Sequence, residues 1–194
     1  LARFTYVRQG EPKGPGHALL QANHLVDDEP VAVLYGDDVV DSRIPCLKQL
    51  ITVFNKYQKP VLALERVPRK EVSRYGVIAG HKIAPRTYKI TGLIEKPSLK
   101  EAPSNLVIIG KYIYTPELFR LLPKMKLGHG GEFFPTDIFD LYIKRGGEMY
   151  GYEYEGERYD CGEKLGFLKA VVKVGLKHPE VGKGFRGYLK GIKF

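Results

Sequence analysis

The sequence has 194 residues, of which 43% are hydrophobic and 27% charged, enough apolar material to bury a core in one domain or a large part of one. No apolar run approaches the roughly 18 residues that cross a bilayer, and the stretch from Leu1 to Arg8 lacks the apolar centre of a signal peptide, so neither a membrane partner nor a leader is expected. The formal charge of +9 suits nucleic acid, an acidic surface or small anionic substrates, but Lys and Arg are dispersed, with a gathering from Lys183 to Lys193 and no basic block interleaved with stacking aromatics, which argues against nucleic acid.

Arg3 to Val7 predict a strand, and beyond a loop punctuated by Gly and Pro, His17 to Leu25 carry the apolar period of a short helix. Val31-Ala-Val-Leu-Tyr35 is continuously apolar, the pattern of a strand buried on both faces of a mostly parallel sheet. Pro45 suits the first turn of a helix through Tyr57, with Leu47, Leu50, Ile51 and Phe54 at helical spacing. Pro60 to Leu64 reads as another buried strand. The middle turns strand-rich, with segments near Gly76 to Ala79, Tyr88 to Glu95 and Asn105 to Tyr114. Helices return at Pro116 to Leu122 and Pro135 to Lys144, followed by a strand from Met149 to Tyr154 and a last helix from Glu163 to Lys177. This alternation predicts a three-layer α/β fold, whose ligands gather beyond the carboxyl ends of its strands. Cys46 and Cys161 have no metal-ligand spacing, so a reduced, cytoplasmic setting fits them better than a disulfide framework.

Five segments can carry chemistry. Gly14 and Gly16 bracket a proline just before a helix, where close backbone approach and unpaired N–H groups suit an anion or a base carbonyl; the same pattern makes a plain tight turn. Gly36-Asp37-Asp38 follows a predicted strand, where a carboxylate could join substrate phosphates around magnesium or simply cap a turn. Glu95-Lys96-Pro97 sets an acceptor beside a cation, fit for sugar hydroxyls and a phosphate, or for an ordinary surface pair. Gly130-Gly131-Glu132 precedes a helix that opens at Thr136-Asp137, two ordinary helix-start residues. Asp160, within Tyr159-Asp-Cys-Gly162, is either an N-cap or a second ligand for a cation first held by Asp37.

Taken in order, these segments resemble the bacterial-type UTP–glucose-1-phosphate uridylyltransferases, a family of sugar nucleotidyltransferases. The likeness runs through Val7-Arg-Gln9 with Gly14-Pro-Gly-His-Ala18, Asp28-Glu-Pro30, Val72-Ser-Arg-Tyr-Gly76 and Glu95-Lys-Pro97. It continues through Ala102-Pro-Ser-Asn-Leu106 with Ile109-Gly-Lys-Tyr112, Gly130-Gly-Glu132, and Tyr159-Asp-Cys-Gly162 with Lys164-Leu-Gly166. Each motif is short, and their collinearity over nearly the whole chain carries the resemblance. It implies a Rossmann-like α/β/α nucleotide-diphospho-sugar transferase fold with a mixed sheet, and transfer of UMP from UTP to glucose 1-phosphate with Mg²⁺, giving UDP-glucose and pyrophosphate. By position, Gln9 and Gly14 would contact the uracil, with His17 a helix-start residue that backs the nucleotide or simply packs. Asp37 and Asp160 would hold the metal, Gly76, Glu95 and Asn105 would bind glucose, Lys96 would meet the sugar phosphate, and Glu132 would lie near the sugar hydroxyls. A homo-oligomer is implied as well.

The pattern departs from that family in two places. The Gly-x-Gly-Thr-Arg type phosphate loop and its downstream lysine have no counterpart here, so the sequence is expected to be a single domain, 1–194, making up the C-terminal two thirds of the fold with the N-terminal part missing. Phe133-Phe-Pro135 replaces an aliphatic residue, Gln and Leu after Glu132. Two other readings stay open, a non-catalytic sugar-nucleotide-binding module and a nucleotidyltransferase for another NTP or hexose 1-phosphate. A glycosyltransferase also places Asp pairs after a strand, but the Glu-Lys-Pro and Ser-Asn segments count against it.

Overall fold

The computed structural model describes residues 2–193; Leu1 and Phe194, the two ends of the expected domain, lie outside the described residues. The chain forms two compact units, Leu1–Leu34 with Cys46–Tyr154 and Tyr35–Pro45 with Glu155–Phe194. In chain order the elements are α1 (Pro15–Gln21), β1 (Val31–Leu34), β2 (Asp38–Asp41), α2 (Cys46–Tyr57), β3 (Val61–Arg66), β4 (Gly76–Ala84), β5 (Thr87–Glu95) and β6 (Leu106–Tyr114). They continue with α3 (Pro116–Phe119), α4 (Pro135–Lys144), β7 (Met149–Glu153), β8 (Glu157–Asp160), α5 (Lys164–Lys177) and α6 (Gly182–Gly191), with short 3₁₀ turns between.

The larger unit is built on a six-stranded mixed sheet in the order β1-β6-β3-β7-β5-β4. β3 and β7 run parallel, while β1–β6, β3–β6, β5–β7 and β4–β5 are antiparallel. Helices cover both faces. Directly paired residues point to one face of a sheet, so Leu62 and Tyr112 share a face, and Val61, Ile113 and Tyr150 share the other. Phe139 of α4 packs edge-on against Tyr112 and Tyr114, whereas Tyr57 of α2 stacks on Tyr150 at 4.1 Å between centroids. The expected three layers follow from this opposition. Tyr114 and Phe139 are fully buried, and their ring contacts make this aromatic cluster the centre of the core.

Three local expectations change. Among the described residues no strand pairs with Arg3 to Val7, and Phe4 and Tyr6 stand exposed; an alternating pattern becomes a strand only where a neighbour accepts its N–H and C=O groups. β1 is an edge strand bonded to β6 alone, so its apolar run is buried only at Val33, while Leu34 is exposed. The buried stripe of α2 runs through Cys46, Gln49, Leu50 and Val53, which leaves Ile51 outside.

The smaller unit pairs β2 with β8 as an antiparallel ladder and packs α5 against α6, with the Phe185 ring seated on Gly175. Sequence pattern predicted neither short strand. Asp38-Val-Val-Asp41 and Glu157-Arg-Tyr-Asp160 do not alternate and are too short to signal a strand alone.

Removing the Phe139 ring leaves a cavity facing Tyr112 and Tyr114. Phe139→Ala is therefore expected to cost about 3–5 kcal/mol, read from the midpoint and slope of a urea denaturation curve.

Candidate functional site

The β2–β8 ladder gives the smaller unit its chemistry. Asp38 pairs directly with Asp160, and Asp37 lies in the turn just before the ladder. The backbone N–H of Cys161 donates to the Asp37 carbonyl at 2.7 Å, locking that turn to the end of β8. A Cβ on Gly162 would stand 3.2 Å from both Asp160 Oδ1 and Asp37 Oδ2, so the two carboxylates converge on one point. Gly166, in the first turn of α5, has no room for a side chain against the Asp160 carbonyl, which is how the helix can start so close behind the strand. The donor set suits a hard divalent cation: two carboxylate oxygens at a strand end, with the remaining positions left for phosphate or water oxygens. Among the described residues no group of three His, Cys, Asp or Glu ligands forms.

In the larger unit, the glycine loop and the Gly130–Glu132 segment, over a hundred residues apart in sequence, are joined. Gly14 has a φ of 88° and lies so close to Glu132 and Phe133 that a Cβ would come within 2.9 Å of each. Phe133 N–H donates to the Lys13 carbonyl at 2.9 Å, and Gly16 N–H to the Phe133 carbonyl at 2.8 Å. Gln9 Nε2 reaches the Gly14 carbonyl at 3.1 Å and His17 Nδ1 at 3.0 Å. The other ring nitrogen, Nε2, lies 3.1 Å from Gln21 Nε2, so the imidazole sits between two side-chain amides. The His17 ring also stacks on Phe133. Gln9, Gly14 and Glu132 thus form one constellation, with His17 as its hinge.

A second constellation holds Gly76, Glu95 and Lys96. Gly76 is paired with Glu95 across the β4–β5 ladder. A Cβ at Gly76 would meet Glu95 Oε2 at 3.0 Å and Thr136 Cγ2 at 2.6 Å, so only glycine lets the carboxylate lie there. The Thr136 hydroxyl donates to Glu95 Oε2 at 2.8 Å. Thr136 was expected to do no more than start a helix; its position behind a proline gave no sign that it anchors this carboxylate. Lys96 has a φ of 44°, although it precedes Pro97 and a residue before proline is normally extended. Its N–H donates to the Tyr75 carbonyl at 3.0 Å, and its Nζ lies 4.8 Å from the Phe134 ring centre. Backbone strain of this kind collects at functional positions.

Asn105 belongs to a different network. Its Oδ1 accepts from Arg66 Nη1 at 2.7 Å, and its Nδ2 donates to the Val67 carbonyl at 3.2 Å. Arg66 also donates to the Tyr88 hydroxyl, which in turn donates to Glu153. The side chain of Asn105 is bonded to the end of β3, with one amide hydrogen and one Oδ1 lone pair beyond these two bonds.

Residues 2–175 match the family model described as nucleotidyl transferase. The chain belongs to the nucleotidyl transferase family. Within it, this family member is 40% identical over 192 residues to a UTP–glucose-1-phosphate uridylyltransferase of Staphylococcus epidermidis, a match covering 99% of the chain and 66% of that protein. The chain therefore spans slightly under two thirds of the length of such relatives. Among solved structures, it is similar to a UDP-glucose pyrophosphorylase complexed with UDP-glucose, with a TM-score of 0.86 and 40% identity over 90% of this chain and 67% of that one. A UTP-bound enzyme of the same name from Acinetobacter baumannii gives a TM-score of 0.83 at 32% identity, covering 96% of this chain and 65% of that one. The nucleotidyl transferase fold expected from the sequence is thereby established.

Asp137 lies in the first turn of α4. Its Oδ2 is buried with no hydrogen-bond partner among the described residues. Burial raises its carboxyl above the usual aspartate range, with the Phe134 backbone N–H pulling the other way. The folded chain therefore holds this proton more tightly than the unfolded chain. The associated stability is complete below the ordinary aspartate range and is lost as pH rises through the raised value. Asp137→Asn cannot ionise, so its melting temperature is expected to rise relative to the parent protein between about pH 4 and about pH 7; parallel thermal melts across that range would check it.

Proposed function

We propose that this chain carries the working residues of a UTP–glucose-1-phosphate uridylyltransferase, which transfers UMP from UTP to glucose 1-phosphate and releases pyrophosphate. Residues 1–194 would form a single nucleotidyltransferase domain representing the later two thirds of the fold. The observation that carries the reading is the convergence of the Asp37 and Asp160 carboxylate oxygens on one point beside Gly162, in a chain with the relatives described above.

In this reaction an oxygen of the sugar phosphate attacks the α-phosphorus of UTP in line, and pyrophosphate leaves. Aligning two anions and neutralising their charge does most of the work, and no covalent enzyme intermediate is needed. Mg²⁺ held by Asp37 and Asp160 would supply the countercharge for the phosphates when bound. Lys96 would meet the sugar phosphate, with its Nζ beside the Phe134 ring. Glu95, anchored by Thr136, and Gly76 would recognise the sugar, with Glu132 near its hydroxyls. Gln9 and Gly14 would meet the base, where the Gln9 Oε1 takes no partner among the described residues and can accept from a uracil N–H. Asn105, bonded to the end of β3, would bind the glucose as well. The protein is proposed to work in the cytoplasm as a homo-oligomer; no helix among the described residues is long and apolar enough to cross a membrane.

Asp37→Ala is expected to abolish magnesium-dependent UDP-glucose formation while leaving the circular-dichroism spectrum and melting temperature unchanged. Unchanged turnover would reject the metal role. Preference for dTTP over UTP in a competition assay would reject the choice of base. Lys96→Ala is expected to raise the KM for glucose 1-phosphate by at least about tenfold with little change for UTP, because only one phosphate loses its countercharge. Steady-state kinetics with each substrate varied in turn would detect an equal loss for both, the opposite result.

A further inference from the structure

We infer that Arg158 is the positioning residue of the carboxylate pair, aiming a single oxygen of Asp160 at the cation and removing Asp38 from the ligand set. The inference rests on the metal role proposed for Asp37 and Asp160 and concerns how this chain selects those two carboxylates from three.

Asp37, Asp38 and Asp160 are close together, and residue type alone offers no physical reason to prefer Asp37 over Asp38. The ladder makes the problem acute, because Asp38 and Asp160 are directly opposed on β2 and β8, an arrangement that repels when both are ionised. Residues two apart on a strand share a face, so Arg158 projects on the same side as Asp160, opposite Val40. Its Nε donates to Asp38 Oδ1, and its Nη2 donates to Asp160 Oδ2 at 3.2 Å. The Arg158 and Asp38 side chains are each 9% exposed, against 30% for Asp160. One buried guanidinium therefore neutralises Asp38 and occupies one oxygen of Asp160. The oxygen left over, Oδ1, is the one that shares a point with Asp37 Oδ2 beside Gly162. A planar guanidinium can serve two carboxylates through separate N–H groups of fixed direction, whereas an ammonium is a single point charge without that geometry. Lysine at this position keeps the charge and loses the aim.

Groups that orient metal ligands typically change metal affinity by about 10- to 100-fold when altered, and that is the loss expected for Arg158→Lys. The test is Mn²⁺ binding to the full chain in the presence of UDP-glucose, followed by the electron paramagnetic resonance signal of free Mn²⁺, with melting temperature measured beside it. The wild-type chain should bind, Asp37→Ala should not, and Arg158→Lys should bind about 10- to 100-fold more weakly while remaining folded. Asp38→Asn provides a second arm that leaves the Arg158 side chain itself in place. It should bind Mn²⁺ within about threefold of wild type, because Asp38 is a counter-ion and not a ligand. If wild type does not bind, or Asp37→Ala binds equally well, the metal reading fails and this inference falls with it. If Asp37→Ala loses binding but Arg158→Lys matches wild type, the metal reading stands and the positioning role is overturned. Loss of binding in Asp38→Asn as complete as in Asp37→Ala would also overturn it, by making Asp38 a ligand.

Discussion

Two four-residue strands, separated by more than a hundred residues, are held together by backbone hydrogen bonds and one buried arginine, and the candidate metal pair exists only because they meet. Closing so long an intervening segment carries an entropic cost that grows only slowly with its length, so a modest ladder can hold it if its charges are reconciled. The ladder sets Asp38 opposite Asp160 and Asp41 opposite Glu157, and Arg158 reconciles the first, more buried pair. The outer ion pairs, Lys177 with Asp41 and Lys173 with Glu157, are more exposed and contribute little to stability. Burial distinguishes the Arg158 contacts from these.

The larger unit applies the same logic with packing in place of charge. β6 lies between β1 and β3 and carries the tyrosines on which Phe139 rests. With α4 seated against that core, its first turn delivers Thr136 to Glu95, and the residues just before it deliver Glu132 and Phe133 to the glycine loop. Core packing and ligand chemistry are thus joined through one helix, whose apolar face fixes its position and whose N-terminal end organises two polar constellations. Within the two constellations, at Gly14 and Gly76, glycine is required by space and, at Gly14, by a positive φ as well.

Much of this organisation was legible in the sequence. The strand-rich middle, the helix at Pro135 to Lys144, the helix opening after Asp160 and the α/β character all follow from local periodicity and turn residues, which are short-range properties of the chain. The sequence also marked the residue types with chemical potential, because an Asp after an apolar run or a Glu-Lys-Pro segment narrows the options at those positions. Arg3 to Val7 shows where such reading stops: a strand-like pattern is not enough, because a strand also needs a partner. β1 shows the same limit differently, since an apolar run at the edge of a sheet looks the same in sequence as one in its centre.

The sequence by itself determined the element types, the family likeness and the candidate residues, because each depends on neighbours a few positions apart. Only the tertiary structure decided that β2 and β8 are strands at all, that Glu132 lies against Gly14, that Thr136 anchors Glu95, that Asn105 turns toward Arg66, and that Arg158 stands between Asp38 and Asp160. All of these are contacts between residues distant in the chain. Their energies come from shared burial and from the direction of individual N–H groups, neither of which is fixed until the backbone has closed.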